Sequence, residues 1–382
     1  METDIFNGAK KLGFGLMRLP SRSPNNDADI DVEQVKKMVD LFMQKGFTYF
    51  DTALMYCGGA SESATKQFLV ERYPRESFTL ATKLHAAFLK EEADCDRRFN
   101  EQLEKTGARY FDYYLIHDIN IHTIETYNRF HVFDWIRQKK EQGLIKHMGF
   151  SFHDGPELLD KVLTEHPEME FVQIQLNYFD YDNPGVRSRE CYEVCEKHNK
   201  PVVVMEPVKG GTLVKVPSEV EQMFKNYNPE SSVASWAIRF AASHKNVRMV
   251  LSGMGSMEMM QDNTSYMENF VPLKDEELTL IKSAVAILNG RKAIPCTGCS
   301  YCTGGCPMNI AIPRYFALYN ADLAQDPDGK AGWTVQQEYY ANLNKDFGKA
   351  SECIQCGQCE DICPQHLKII SHLQEVAAHF EN

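Results

Sequence analysis

The chain lacks any apolar run near the roughly eighteen residues that a membrane helix needs, so no bilayer span is expected. Its first residues, METDIFNGAK, contain no charged-then-apolar leader. Without export to an oxidising compartment, a disulfide framework is not expected either. Basic charge is in deficit: 41 Lys and Arg against 53 Asp and Glu leave a formal net charge of −12. That balance argues against nucleic acid and against anionic membrane surfaces as partners. Low-complexity tracts and Pro/Ser-rich linkers are also missing, so any two domains should pack directly on one another. The expected setting is a soluble, cytoplasmic protein in a reducing, oxygen-poor cell.

What is abundant is cysteine, and eight of the twelve fall into two copies of one pattern. Cys296, Cys299, Cys302 and Cys306 read C-x2-C-x2-C-x3-C-P, and Cys353, Cys356, Cys359 and Cys363 repeat it, closed by Pro307 and Pro364. This is the spacing of a chain that holds two 4Fe-4S clusters. Two-residue gaps let three thiolates curl onto one cluster, and the proline turns the chain so that the fourth cysteine reaches the other. Cys363 is therefore expected to complete Cys296, Cys299 and Cys302, and Cys306 to complete Cys353, Cys356 and Cys359. Zinc sites favour two separated C-x-x-C pairs instead. Cys191 and Cys195, four apart in a helical-looking stretch, read as buried small side chains, since no partner ligand stands nearby.

At 382 residues the length allows two or three domains, or one large barrel with an appendage. From residue 11 to about 270, strand-like segments (GFGLMRL, FTYFDT, FTLATK, YFDYYLIH, KHMGFSF, FVQIQLN, PVVVMEP, VRMVLSG) alternate with amphipathic helical stretches. Eight strands each followed by a helix is the count of a closed (β/α)8 TIM barrel, an α/β fold whose chemistry sits where the strands end. The helix KDEELTLIKSAVAILNGR then leads to Cys296, which places a boundary near residue 290: a barrel over 1–290 and a small, mainly helical ferredoxin-like domain over 291–382. Polar residues stand at successive strand ends: Asp51 and Tyr56 in FDTALMY, Lys83 in ATK, His117 in LIHD.

In these residues the chain resembles the aldo/keto reductase family, whose tetrad is Asp, Tyr, Lys and His in this order. The resemblance runs through DTALMY, ATK, IHD, GFSFHD, Gln173 and SGMGSMEMMQDN, and covers residues 11–270. It implies hydride transfer between NADP or NAD and a small-molecule carbonyl or alcohol. Tyr56 would be the proton donor, Lys83 and Asp51 would tune it, and His117 would orient the carbonyl oxygen. Because a free phenol titrates near ~10, a neighbouring cation that favours phenolate is expected to supply most of that tuning. The resemblance also implies cofactor contacts at Gly15, Met17 and Arg18 after strand one, and at Ser151 and Gln173 on the carboxamide. Further contacts would come from Met205, Pro207 and Gly210, and from Gly253, Ser256, Met260 and Asn263 on the adenosine half. Met205 stands where many relatives carry an aromatic that stacks on the nicotinamide. No Arg or Lys follows strand eight to pair a 2′-phosphate, so NADH and NADPH both stand. Cys57, after Tyr56, reads as a packing residue in preference to a redox thiol.

Hydride transfer moves an electron pair, whereas a cluster carries one electron. Three readings follow. The enzyme is a plain reductase whose clusters are structural or serve an unseen partner. Or electrons pass between a ferredoxin-like carrier, the clusters and a flavin or substrate at the mouth. Or the chain is a catalytically idle redox sensor, against which the intact tetrad argues. A final expectation is that the cysteine domain lies near the barrel mouth and walls the substrate pocket.

Overall fold

A computed structural model describes residues 4–23, 26–290, 293–296, 298–325, 333–363 and 365–381; Pro364, expected to close the second motif, lies outside the described residues. Eight parallel strands close into one barrel in sequence order. They are β1 (Leu12–Gly15), β2 (Tyr49–Asp51), β3 (Thr79–His85), β4 (Phe111–Ile119), β5 (Ile145–Phe152), β6 (Phe171–Gln175), β7 (Val202–Met205) and β8 (Val247–Ser252). Each coincides with one of the eight segments expected from β-branched and aromatic content. No helix among the described residues is long and apolar enough to cross a membrane.

Alternation along the strands sorts the side chains. Phe50, Leu80, Tyr114, Ile116, Phe150, Val172, Val202 and Val250 face outward into the core shared with the surrounding helices. Tyr49, Ala81, Tyr113, Leu115, Phe171, Val203, Met249 and Leu251 point inward and fill the lower barrel. Phe6 plugs that end, stacked on Tyr113 at 5.2 Å between ring centroids, while the Tyr113 hydroxyl donates to the Ile5 carbonyl at 2.8 Å. Gly149 has to be glycine here, since a Cβ would lie 2.6 Å from the Phe171 carbonyl oxygen. The lower half is a solid plug, so only the upper end is left for chemistry.

Past the helix Asp275–Asn289, the cores part: Ile281 and Ala284 belong to the barrel, whereas Ile294 belongs to a second cluster built on Tyr315, Phe316, Tyr340, Ile369 and Leu373. This second unit is helical, with Ile312–Gln325, Val335–Leu343, Gln358–Asp361 and Ile369–Phe380. Thr334 caps Val335–Leu343 by accepting from Gln337 N, and the Gln337 side chain returns the bond. Gly348 pairs with Ile310, joining the ends of the two motifs; a Cβ there would meet the Met308 carbonyl at 2.2 Å.

The helical unit docks on the upper end of the barrel. Asn342 Nδ2 donates to the His153 carbonyl (2.8 Å), Lys345 Nζ to the Ile121 carbonyl (2.7 Å) and Asn120 Nδ2 to Glu338 Oε1 (2.8 Å). All three barrel partners follow β4 or β5. Val186, after β6, joins the second core. A fully buried pair supports this end: Lys209 Nζ lies 2.9 Å from Asp180 Oδ2, which also accepts from Gln175 and Asn177. Breaking it leaves a buried ammonium unpaired. Asp180→Ala is expected to cost about 3–5 kcal/mol, read as a lower denaturant midpoint.

Candidate active site and cysteine cages

The inward-facing set continues upward past the plug as Asp51, Lys83, His85, His117, Ser151, Gln173 and Met205. Parallel pairing puts Lys83 beside Leu115, His85 beside His117 and Ser151 beside Gln173. Lys83 Nζ is fully buried, 2.5 Å from Asp51 Oδ1 and 2.9 Å from the Thr52 carbonyl. The outer face of β3 is locked as well, since Gln102 Nε2 donates to the Lys83 carbonyl, to Thr82 and to the buried Glu62 carboxyl. Half-buried Tyr56 closes the group: Lys83 Nζ lies 4.9 Å from its ring centroid, and its ring meets that of His117 edge-on at 6.0 Å. The structure thus assembles all four tetrad positions at one end of the barrel.

One electrostatic expectation needs correction. Burial raises the Tyr56 phenol above its ordinary value; Lys83 lowers it, Asp51 raises it again, and the balance stays upward. The cation is not the dominant influence, because burial outweighs it and Asp51 opposes it. For Lys83 itself burial lowers the pKa, but Asp51 and Tyr56 together reverse that and leave it raised. Burial, then Lys83 and His85, hold His117 well below the usual histidine range, so its imidazole is neutral at working pH.

The expected cofactor residues divide by environment. Gln173 is buried, and its Oε1 has no hydrogen-bond partner. A carbonyl acceptor left open at the mouth fits the carboxamide N–H of a nicotinamide. Ser151 Oγ accepts from Asp118 N at 2.7 Å, which leaves its hydroxyl proton to donate. Met205 meets Gln173, Sδ to Nε2, at 3.6 Å. Arg18 is half-exposed and spans from β1 to the loop after β7, 3.7 Å from Glu206 Oε1 and 3.5 Å from the Gly210 carbonyl. Glu206 in turn accepts from Gly210 N at 2.6 Å, next to Pro207. Gly15 and Gly253 adjoin, Met17 is exposed, and Ser256 caps the helix Met257–Met267 by accepting from Met259 N. Met260 and Asn263 turn inward instead. Met260 is fully buried in the barrel core, and Asn263 is held by Ser252 and Tyr266.

Cys57 is a packing residue here: buried, with its thiol donating to the Leu16 and Met17 carbonyls and pushed up by burial. Cys191 and Cys195 are buried in the barrel core. His85, Asp118 and Glu338 were missed by sequence reasoning. His85 had a signal, being two residues after Lys83 on the same strand face. Glu338 had none, because only docking brings it to the mouth.

The eight motif cysteines form two cages. One hollow is lined by Cys296, Cys299, Cys302 and Cys363, the other by Cys306, Cys353, Cys356 and Cys359. Besides sulfur, the first is walled by Ile312, Pro313, Phe316 and Ile369 together with Ser300 and Gln365, and the second by Met308, Ile310, Ile354 and Leu373. Each cage takes three sulfurs from one motif and the fourth from the other. Burial, then neighbouring thiols, push Cys302 up to about 12 and Cys359 up to about 11. A soft cationic iron centre is the chemistry this donor set fits.

The family model for aldo/keto reductases matches residues 11–286. The chain belongs to the aldo/keto reductase family. It is an oxidoreductase of that type, carrying a C-terminal segment, residues 295–368, that matches the model of 4Fe-4S dicluster domains. Among solved structures it is similar to an aldo-keto reductase from Bacillus halodurans in its holo form, at 22% identity, 72% of this chain, 91% of that one and a TM-score of 0.57. A reductase from Klebsiella pneumoniae solved with NADP and acetate matches at 17% identity over the same shares, with a TM-score of 0.57. A glycerol dehydrogenase from Gluconobacter oxydans matches at 17%, again over 72% and 91%, with a TM-score of 0.56. A sequence comparison with curated proteins found no match.

Proposed function

We propose that the chain reduces a small carbonyl compound, or oxidises the matching alcohol, at the upper end of the barrel, and that the two cysteine cages each hold a 4Fe-4S cluster. The observation that carries the first part is the buried Lys83–Asp51 pair under the Tyr56 ring. When bound, NAD(P)H would supply the hydride, which with one proton completes the reduction, and the clusters would be able to carry single electrons outside that step. Tyr56 donates its hydroxyl proton to the carbonyl oxygen as that oxygen gains charge. Lys83, held by Asp51 and the Thr52 carbonyl, stabilises the phenolate left behind. Neutral His117 presents a ring N–H to the same oxygen, and Gln173 with Ser151 fixes the carboxamide. Taken together, one hydride and one proton convert C=O to CH–OH.

The test is anaerobic oxidation of NADH and NADPH against a panel of aldehydes and ketones. Carbonyl-dependent oxidation of either supports the proposal; none with any substrate overturns it. The helix Met257–Met267 carries Glu258 and Asp262 and no cation. A charge-assisted bond worth about 1.5–3 kcal/mol is thus missing at the 2′-phosphate, and kcat/KM for the two cofactors is expected to agree within about tenfold.

Docking of the cysteine domain over the mouth, through Asn342, Lys345 and Glu338, supports a second reading in which the halves share electrons. Cluster bleaching by NADH or NADPH alone would favour it, and would require a mediator that splits an electron pair, such as a flavin. Clusters that stay oxidised under NAD(P)H during full turnover would return the plain reductase.

A further inference from the structure

Outside the tetrad and the cages, Asp118 and His153 at the ends of β4 and β5 and Glu338 on the helix Val335–Leu343 bring one ligand atom each within 4.8 Å of one another. The set exists only when the two domains are docked. Asn120 Nδ2 donates to both carboxyl groups, to Asp118 Oδ1 at 3.0 Å and to Glu338 Oε1 at 2.8 Å, and Asp118 and Glu338 also hydrogen-bond to each other, which holds the two side chains together. His153 Nδ1 is buried and has no hydrogen-bond partner. The His153 carbonyl accepts from Asn342, which ties that residue to the same helix as Glu338.

His85 also lies close, but its role is different. Its Nδ1 accepts from Ala87 N at 3.0 Å, so the neutral ring carries its proton on Nε2. That nitrogen faces Asp118 Oδ2 at 3.3 Å and donates to it. A histidine N–H orienting a carboxylate is the outer-shell arrangement found behind metal ligands.

We propose that Asp118, His153 and Glu338 bind one divalent first-row cation at the domain interface, with His85 and Asn120 orienting the carboxylates. One imidazole nitrogen and two carboxylate oxygens suit Zn²⁺, Mn²⁺ or Fe²⁺ and not a thiophilic ion. The cation displaces the proton through which the Asp118 and Glu338 side chains hydrogen-bond. Metal–ligand distances of about 2.0–2.2 Å at tetrahedral angles put ligand atoms about 3.3–3.6 Å apart, so the three groups have to close by up to roughly 1.5 Å on binding. Three protein ligands leave at least one position for water or a substrate oxygen. The His85 ring meets His117 edge-on at 5.2 Å, which puts this cation beside the tetrad and makes it a clasp between the two domains.

The test uses the untagged full chain with its cluster iron in place, kept anaerobic, and titrates Zn²⁺ and, separately, Mn²⁺ by calorimetry with metal analysis. One equivalent beyond the cluster iron is expected for at least one of the two. Glu338→Gln and His153→Gln should each weaken that binding by about 100-fold or more, with cluster iron and circular dichroism unchanged. Should one variant fail to fold, the other decides. Absence of saturable binding in the unmodified chain overturns the proposal, and so does one-equivalent binding that both variants retain, which would mark an adventitious surface ion. The readout is metal stoichiometry, so it stands apart from whether a carbonyl substrate is found.

Discussion

Replacing Tyr56 with Phe is expected to lower carbonyl reduction by about 10²–10⁴-fold, the usual worth of a positioned acid, while cofactor binding stays measurable. Phenylalanine retains the ring that rests against Lys83 and His117, and Lys83, which loses its hydrogen bond to the hydroxyl, keeps Asp51 and the Thr52 carbonyl as partners. Stability should therefore change little, and the loss should fall on kcat. Steady-state kinetics beside a cofactor titration separates the two, and turnover near that of the unmodified chain would reject the assignment. The direction of the Tyr56 shift gives a second check. Reduction needs the protonated phenol, and burial raises its pKa, so reduction should hold through neutral pH and fall only above about 10. Oxidation of the alcohol needs phenolate and should climb as pH rises. His117 is already neutral in this range and adds no inflection near pH 6–7.

Cys359→Ser is expected to lower the iron content from about eight per chain to below about four and to unfold the C-terminal domain while the barrel stays intact, since each cage draws sulfurs from both motifs. The second core is small, and Cys302, Cys359 and Cys363 lie inside it together with Tyr315, Phe316 and Leu373. With the metal gone, hollows lined by sulfur are left among a few helices. Folding and metal binding are then one equilibrium. A local loss of ~3 kcal/mol raises the open population by about 100-fold, which should appear as rapid proteolysis beyond residue 290. Iron analysis and limited proteolysis read the outcome; a variant with full iron and undiminished protease resistance would dismiss the cage as a ligand set. Because Asn342 and Lys345 hold this domain on the mouth, its unfolding should also raise KM for substrate.

Most of the architecture was legible in the amino-acid order. Strands at Tyr49–Asp51 or Val202–Met205 announce themselves because a parallel strand covered on both faces demands β-branched and aromatic side chains. The tetrad was legible for a related reason: in a barrel, position along a strand determines both face and height, so polar residues closing successive strands must meet. The cysteine pairing between motifs was legible because a short spacing restricts which sulfurs can share a centre.

Three features were decided only by the tertiary structure. The pKa direction of Tyr56 depends on how much solvent the fold removes and on Asp51 engaging Lys83, neither of which is a property of sequence spacing. The roll of the helix Met257–Met267, set by packing, buries Met260 in the core and joins Asn263 to Ser252. Glu338, more than two hundred residues from Asp118, joins it through docking of one domain on the other. Local pattern specifies which residues form an element and which face they occupy, because those follow from backbone periodicity. Where two elements distant in sequence touch follows from side-chain packing over the whole chain.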